Sequence, residues 1–298
     1  EGTRSLNGDC IASEDEPMVA RLRLAGAIPI GKTNVPEFGL HSATYNQRFG
    51  VTRNPWDLSK TPGGSSGGSS AAVSAGLVPF ATGSDGGGSI RTPAAFCGLV
   101  GLKPTTALVP SASGRSRLTC LGYLTRTVAD TARLLDVSGG VHPRDRRSIS
   151  MLGEPFETAI SWIDVEDMSI AWSSDFGYAP IEPEIVEIAK HAFDRLVAHA
   201  KLRRSPVQVE LPNVYRSWIL DALNFLKLEL GESGVNVPVL DERTRRFLNR
   251  FSVADPLEYL RVQQSFDALE RSLADVFSRV DLVATPSTAR AAFGADAE

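Results

Sequence analysis

Cysteine and histidine, the residues that most often build disulfides, metal centres and histidine-based active sites, are scarce in this sequence. The 298 residues include three cysteines and four histidines. The cysteines are odd in number and lack metal-ligand spacing, which favours a reducing compartment and argues against a metal centre. We therefore expect a cytoplasmic protein that uses no metal and no other cofactor. The residues concerned are Cys10, Cys97 and Cys120, and His41, His142, His191 and His199.

The chain also lacks a strong excess of charge and a long apolar segment. Its net charge is −4 and its isoelectric point is near 5.7, so it has no basic footprint for nucleic acid. No apolar run approaches the ~20 residues of a membrane span. With 42% hydrophobic and 22% charged residues, the composition is that of a globular protein long enough for one large α/β domain. We expect neither a membrane nor a nucleic acid as a direct partner.

What the sequence does contain is glycine and serine in two dense clusters. Eleven of the 26 glycines fall within residues 63–101. Ser65 lies in the first cluster and Ser89 in the second, where glycine lets the backbone turn tightly and present bare N–H groups. A stretch of this kind is a flexible linker, a phosphate-binding loop or the active site of a serine hydrolase.

The first two interpretations fit the surrounding residues poorly. A linker stays polar, whereas residues 69–75 predict a short helix and residues 77–82 a buried strand. A Walker-type phosphate loop needs a lysine after its last glycine, and no lysine follows either cluster. The frame of a dinucleotide fingerprint is absent as well. We prefer a nest of N–H groups aimed at an oxyanion.

Several short motifs surround the two serines in a fixed order. The main ones are Thr61-Pro62-Gly63-Gly64-Ser65-Ser66-Gly67-Gly68-Ser69, Gly83-Ser84-Asp85-Gly86-Gly87-Gly88-Ser89-Ile90-Arg91 and Gly101-Leu102-Lys103-Pro104-Thr105, flanked by Gly31-Lys32-Thr33-Asn34, Asn54-Pro55-Trp56-Asp57 and Thr125-Arg126-Thr127. Together they resemble the amidase signature family, and the resemblance is densest over residues 21–136. We expect one incomplete domain of this family over residues 1–298, with a more variable, substrate-shaping part over about residues 140–298.

The resemblance implies a fold and a mechanism. The fold is an α/β/α sandwich around a mixed, many-stranded sheet, truncated here at both ends. Ser89 corresponds to the nucleophile that attacks an amide carbonyl, and Ser65 to the bridging serine, whose peptide bond is cis. The backbone N–H groups of Gly86, Gly87, Gly88 and Ser89 would form the oxyanion hole. The implied reaction converts a small-molecule amide to an acid plus ammonia or an amine through an acyl-enzyme.

The lysine that serves as the family's base has no counterpart in this chain. The family pattern places it just before the stretch that here reads Gly2-Thr3-Arg4-Ser5. Lys32 and Lys103 match family positions other than the base. We therefore expect an internal fragment of a longer amidase, with little or no amidase activity by itself.

Helical and strand patterns alternate along the chain, which also favours an α/β class. Predicted helices cover residues 16–25, 69–75, 128–137 and 257–277, and another begins at Pro183. Predicted strands cover residues 27–30, 77–82, 207–211 and 281–284. The predicted loops cover residues 111–123, 140–168 and 228–240.

Three functions remain open. A stand-alone amidase is preferred over the glutaminase A subunit of a Glu/Asp-tRNA amidotransferase, because the family's lysine-containing segment reads Tyr259-Leu260-Arg261-Val262 here. The third is a catalytically inactive relative. The expected assembly is a homodimer, or a complex of amidotransferase subunits under the second function. Expected substrate contacts are Ser66 and Tyr123, whose ring stands where family members often have proline and would favour aryl amides.

Overall fold

The computed structural model describes residues 12–112, 118–151, 153–230, 240–250 and 256–296. Contacts divide the chain into two compact units. The first unit comprises Glu1–Trp162, Phe225–Arg250 and Ala292–Glu298, and the second comprises Ile163–Asn224 and Phe251–Ala291. Cys10 and the stretch Gly2–Ser5 lie outside the described residues, as does most of the predicted loop at 228–240.

The first unit contains the glycine-rich motifs. Its helices are α1 (Pro17–Leu24), α2 (Gly67–Ser74), α3 (Arg91–Cys97), α4 (Val128–Ser138), α5 (Phe156–Trp162) and α8 (Glu242–Arg250), with a 3₁₀ turn at Glu37–Gly39. Strands β1 (Tyr45–Asn46) and β2 (Gly50–Val51) form an antiparallel pair. Strands β3 (Phe80–Asp85), β4 (Val100–Leu102) and β5 (Cys120–Thr125) form an antiparallel sheet in the order β3-β5-β4.

Helices cover both faces of this antiparallel sheet. Successive residues of a strand point to opposite faces, and Tyr123 and Leu124 of β5 are both fully buried. Tyr123 packs with Met18 of α1 and Leu135 of α4, whereas Leu124 packs with residues at the start of α3. The first unit is therefore a three-layer α/β/α arrangement.

The second unit has the same layering around a parallel sheet. Its helices are α6 (Pro183–His199) and α9 (Pro256–Phe277), and its strands are β6 (Ser169–Trp172), β7 (Arg203–Arg204) and β8 (Leu282–Ala284), in the order β7-β6-β8. Helix α7 (Tyr215–Leu230) has residues in both units. Ile170 of β6 packs against α6, and its neighbour Ala171 packs against α9.

The helix predictions are confirmed for α1, α2, α4, α6 and α9, and the strand prediction for β8. The expected α/β class is confirmed too. Among the described residues, no helix has the length and apolar character that a bilayer span needs.

Two predicted strands are wrong. Residues 27–30 pair with no strand in the part of the chain that the structure describes, and the side chains of Ile28 and Ile30 are 84% and 75% exposed. Residues 207–211 do alternate as a strand would, since Val207, Val209 and Leu211 pack into one apolar cluster. That segment is nevertheless outside the sheets, because it has no ladder partner within the described residues.

Three boundaries also need correction. The strand predicted at 77–82 begins at Phe80 and runs to Asp85. The loop predicted at 111–123 ends earlier, because β5 begins at Cys120. The loop predicted at 140–168 contains helix α5.

Candidate active site

The turn between β3 and α3 carries Ser89, and a single carboxylate organises it. Asp85, the last residue of β3, accepts hydrogen bonds from the backbone N–H groups of Gly88 at 2.7 Å, Ile90 at 3.1 Å and Arg91 at 3.3 Å. The Arg91 side chain donates two more, from Nε at 2.9 Å and Nη2 at 2.8 Å. The turn therefore wraps around a buried carboxylate that receives five hydrogen bonds.

These hydrogen bonds shift the pKa values of Asp85 and Arg91. Burial by itself would raise the pKa of the Asp85 carboxyl, but the hydrogen bonds and charge of Arg91, with the N–H groups of Gly88 and Ile90, outweigh it and hold the pKa below 3.8. The same hydrogen bonds raise the pKa of Arg91. Both groups are charged at neutral pH.

The glycines of this turn differ in what they do. Gly88 has φ +115°, a conformation that favours glycine, and its N–H points to Asp85. That hydrogen bond occupies a donor that was expected to serve the oxyanion, so Gly88 is removed from the expected oxyanion hole. Gly86 packs closely against Thr119, the residue before β5, since a Cβ on Gly86 would lie 2.9 Å from Thr119 Oγ1. Gly87 is exposed.

Ser65 lies on the segment that leads into α2. The peptide bond between Gly64 and Ser65 is cis, as the resemblance implies, and the Ser65 side chain is buried. The next residue, Ser66, donates its backbone N–H to the carbonyl oxygen of Ser89 at 3.1 Å. This hydrogen bond brings together the two glycine-rich segments, whose central serines lie 24 residues apart in the sequence.

The Ser65 segment is packed on both sides. Thr44 Oγ1 donates to the carbonyl of Gly63 at 2.8 Å. A Cβ on Gly64 would lie 2.6 Å from the carbonyl oxygen of His41, so only glycine fits there without a shift. Close backbone approach, more than flexibility, is what these glycines provide.

The two expected substrate contacts are found in enclosed positions. The Ser66 hydroxyl is buried and lies 3.4 Å from the carbonyl oxygen of Ser84, to which it donates. Tyr123 is fully buried in the core, and its hydroxyl donates to Ser138 Oγ of α4. Burial raises the pKa of Tyr123 to about 12. The Tyr123 ring therefore has a packing role, and we leave it out of the site.

The remaining nucleophilic and cationic side chains of this region are engaged in structural contacts or face solvent. Cys97 is buried beside Ser70 Oγ at 3.4 Å, and burial raises the pKa of its thiol, so it serves as a small core residue. Lys103 Nζ donates to the carbonyl of Pro104 at 2.7 Å and to Cys120 Sγ at 3.5 Å. Lys32 is exposed.

The role of Asp85 is the main feature that motif reading missed. The sequence does carry a signal for it, because an acidic residue precedes the three glycines and an arginine follows six positions later. Only the three-dimensional structure shows that this arginine and the turn's N–H groups converge on the same carboxylate.

Comparison with known proteins assigns the chain to a family. The family model described as Amidase matches residues 2–298. The chain belongs to the amidase family. Two curated relatives are 45% identical to it: an acylamidase from Rhodococcus erythropolis over 196 residues, and the A subunit of a glutamyl-tRNA(Gln) amidotransferase from Geobacillus sp. (strain WCH70) over 203 residues. These matches cover 64% and 67% of the chain.

Solved amidase structures have the same fold. A bacterial aryl acylamidase of the amidase signature family superposes with a TM-score of 0.87 at 26% identity, covering 98% of this chain and 63% of that one. The matched region spans 41% of the length of each of the two curated relatives.

Proposed function

We propose that the protein hydrolyses the C–N bond of a carboxylic amide through an acyl-enzyme formed on Ser89. The observation that carries the proposal is the 3.1 Å hydrogen bond from Ser66 N–H to the Ser89 carbonyl, which joins the two serine segments. Membership of the amidase family supports the reaction class.

Each step of the proposed reaction uses a named group. Ser89 Oγ attacks the amide carbonyl carbon, and its proton passes to Ser65 and on to a base, which is a lysine in the family pattern. The N–H groups of Gly87 and Ser89 stabilise the oxyanion, with Gly86 as the resemblance implies. Losing one such donor typically costs about 10²–10³ in rate. The leaving nitrogen takes a proton as the C–N bond breaks, and water then hydrolyses the Ser89 ester.

A second candidate is the glutaminase component of a tRNA-dependent amidotransferase. The relative from Geobacillus, an amidotransferase component, is as similar in sequence as the acylamidase, which favours keeping this alternative. The segment Tyr259–Val262 lacks the lysine expected of such a component, which favours the stand-alone amidase. Glutamine-dependent ammonia release that appears only with partner subunits would support the alternative.

The test is to locate the acyl group. We would treat the purified chain with an activated aryl ester, which acylates a serine without a strong base, and map the modified residue by mass spectrometry. We expect the acyl group on Ser89, none in Ser89→Ala, and unchanged labelling in Ser74→Ala, a serine in the last turn of α2. Labelling that survives in Ser89→Ala would contradict the proposal. Acylation of Ser89 without turnover of an amide is compatible with the proposal, because the family's base lysine has no counterpart in this chain.

We also propose a cytoplasmic location and a homodimer, or an amidotransferase complex under the alternative. The odd number of cysteines and the two buried free thiols, Cys97 and Cys120, support the reducing compartment. Fractionation of cells and light scattering of the purified chain test these two proposals.

A further inference from the structure

Residues 37–42 form the wall against which the Ser65 segment lies. A Cβ on Gly39 would lie 3.3 Å from Ser65 Oγ, and a Cβ on Gly64 would lie 2.6 Å from the carbonyl oxygen of His41. These distances leave no room for even one methyl group between the wall and the segment. A displacement of the His41 backbone therefore reaches Gly64 and Ser65 directly.

Helix α8 and the residue before it hold this wall in place. The backbone N–H of Asp241 donates to Glu37 Oε2 at 3.0 Å, and both side chains are buried. The Phe247 ring contacts the His41 ring edge-on, with centroids 6.2 Å apart. The guanidinium of Arg243 lies over the Tyr45 ring at 5.1 Å. The His41 ring is thus clamped between its own loop and α8.

The His41 side chain has an unusual environment for a titratable group. Its Nε2 atom is buried and has no hydrogen-bond partner within the described part of the chain. The charged groups that act on it are Asp241 just before α8, Arg243 in the first turn of α8, and Glu37. Burial, reinforced by Arg243, holds the pKa of His41 below 6.5 against the opposing effect of the two carboxylates. The imidazole is neutral at neutral pH.

We propose that His41 is a positioning residue for Ser65 and that it holds the wall in place only as the neutral imidazole. The inference rests on the function proposed above, in which Ser65 relays the proton of Ser89. Protonation puts a charge on a buried nitrogen without an acceptor, and that charge requires water or a new partner. The wall then moves away from Gly64, and the hydrogen bond from Ser66 to Ser89 loosens with it.

The direction of the pH effect follows from the pKa. Because the pKa of His41 in the folded chain lies below 6.5, the unfolded chain takes up the proton first as the pH falls. The contribution of neutral His41 is therefore complete above about pH 6.5 and is lost as the pH falls through the folded-state pKa. Acid conditions should open the wall before they unfold the chain.

Amide hydrogen exchange on residues 62–68 tests the proposal. The N–H groups that report on this segment include that of Ser66, which is bonded to the Ser89 carbonyl, and that of Gly68, which is bonded to the Asn34 carbonyl at 3.1 Å. Exchange would be followed by mass spectrometry from neutral pH downward and corrected for its intrinsic pH dependence. The chains compared are wild type, His41→Phe, which keeps a ring against Phe247, and His41→Gln, which does not. His191→Gln, at an exposed histidine of α6, is the matched control.

We expect wild type and the His191→Gln control to lose protection of this segment as the pH falls below 6.5. His41→Phe should keep its protection over the same range, and His41→Gln should be less protected already at neutral pH. An equal loss of amide protection in wild type and His41→Phe as the pH falls would overturn the proposal. If His41→Phe does not fold, the proposal is overturned when His41→Gln protects this segment at neutral pH as fully as wild type does. Amide exchange does not depend on hydrolysis. A failure to acylate Ser89 would therefore contradict the proposed function without changing the result of the exchange experiment.

Discussion

The carboxylate of Asp85 and the guanidinium of Arg91 are joined by two hydrogen bonds of 2.8 and 2.9 Å across the turn that carries Ser89. Asp85 is fully buried, whereas the Arg91 side chain is 48% exposed. A buried carboxylate has no water to replace a lost donor, so each of its hydrogen bonds is needed. The pair holds the last residue of β3 next to the first residue of α3. This contact restricts the conformation of the glycines between them.

Replacing Asp85 with asparagine should destabilise the chain substantially. The amide cannot accept five hydrogen bonds and carries no charge to pair with Arg91, so we expect a loss of about 2–4 kcal/mol in the free energy of unfolding. Denaturant unfolding measures the change. The control is Glu157→Gln, which removes an exposed arginine–carboxylate pair with Arg133 and should cost at most about 1 kcal/mol. Equal losses in both variants would contradict the role of the buried pair.

The acid dependence of stability should carry the signature of the same carboxylate. The pKa of Asp85 in the folded chain lies below its ordinary value of 3.8. Its contribution is therefore present above pH 3.8 and is lost as the pH falls through the folded-state pKa. We expect Asp85→Asn to lose stability less steeply than wild type over this range, measured by unfolding at several pH values. If the stability of wild type and of Asp85→Asn changed in parallel with pH, the pKa of Asp85 would be the same in the folded and the unfolded chain.

Arg21 should matter more than its neighbour Arg23 on the same helix. The Arg21 guanidinium donates to the carbonyls of Ser138, the last residue of α4, and of the three residues that follow it, at 2.7–3.1 Å. Removing it leaves several carbonyls without a donor, and we expect Arg21→Ala to cost about 2–3 kcal/mol by thermal or denaturant unfolding. Arg23→Ala, which breaks an exposed pair with Asp15, should cost at most about 1 kcal/mol. The reverse order would be incompatible with these contacts.

Tyr123 should affect stability and leave substrate preference unchanged. Tyr123→Phe keeps the buried ring and leaves Ser138 Oγ without its donor, so we expect a cost of about 1–2 kcal/mol. The ratio of aromatic to aliphatic amide turnover, or of acylation rates with matched esters, should not change, because the ring lies in the core. A shift in that ratio would restore the expected substrate contact.

The sequence alone predicted the elements whose signals are local. The helix at α4 follows from apolar spacing and from Thr127, whose hydroxyl accepts the N–H of Asp130 at its start. The strands were predicted less well because a strand needs a partner that local pattern does not identify. Residues 207–211 alternate correctly in burial and still join no ladder within the described chain.

In the candidate site, too, the features with local sequence signals were predicted and those that depend on strand pairing were not. The motifs identified Ser65 and Ser89, since glycine clusters are visible in one dimension. The burial of Tyr123 depends on how β3 pairs with β5, which sets Asp85 opposite Cys120 and Thr82 opposite Tyr123. A register between strands about 35 residues apart cannot be read from either strand by itself.

Gly64 offers the sharpest test of the close packing around Ser65. A methyl group there would lie 2.6 Å from the His41 carbonyl oxygen, which belongs to the backbone and cannot rotate away. We therefore expect Gly64→Ala to cost about 1–3 kcal/mol and to slow acylation of Ser89, measured by unfolding and by labelling with the aryl ester.

The matched control for this substitution is Gly31→Ala. A Cβ on Gly31 would meet no heavy atom of the described residues within 4 Å. Alanine there should be neutral or stabilise the chain by up to about 1 kcal/mol, because it restricts the unfolded chain. If Gly64→Ala were as stable and as readily acylated as Gly31→Ala, the wall at residues 37–42 would not constrain Ser65. That result would also remove the steric basis for coupling His41 to the site.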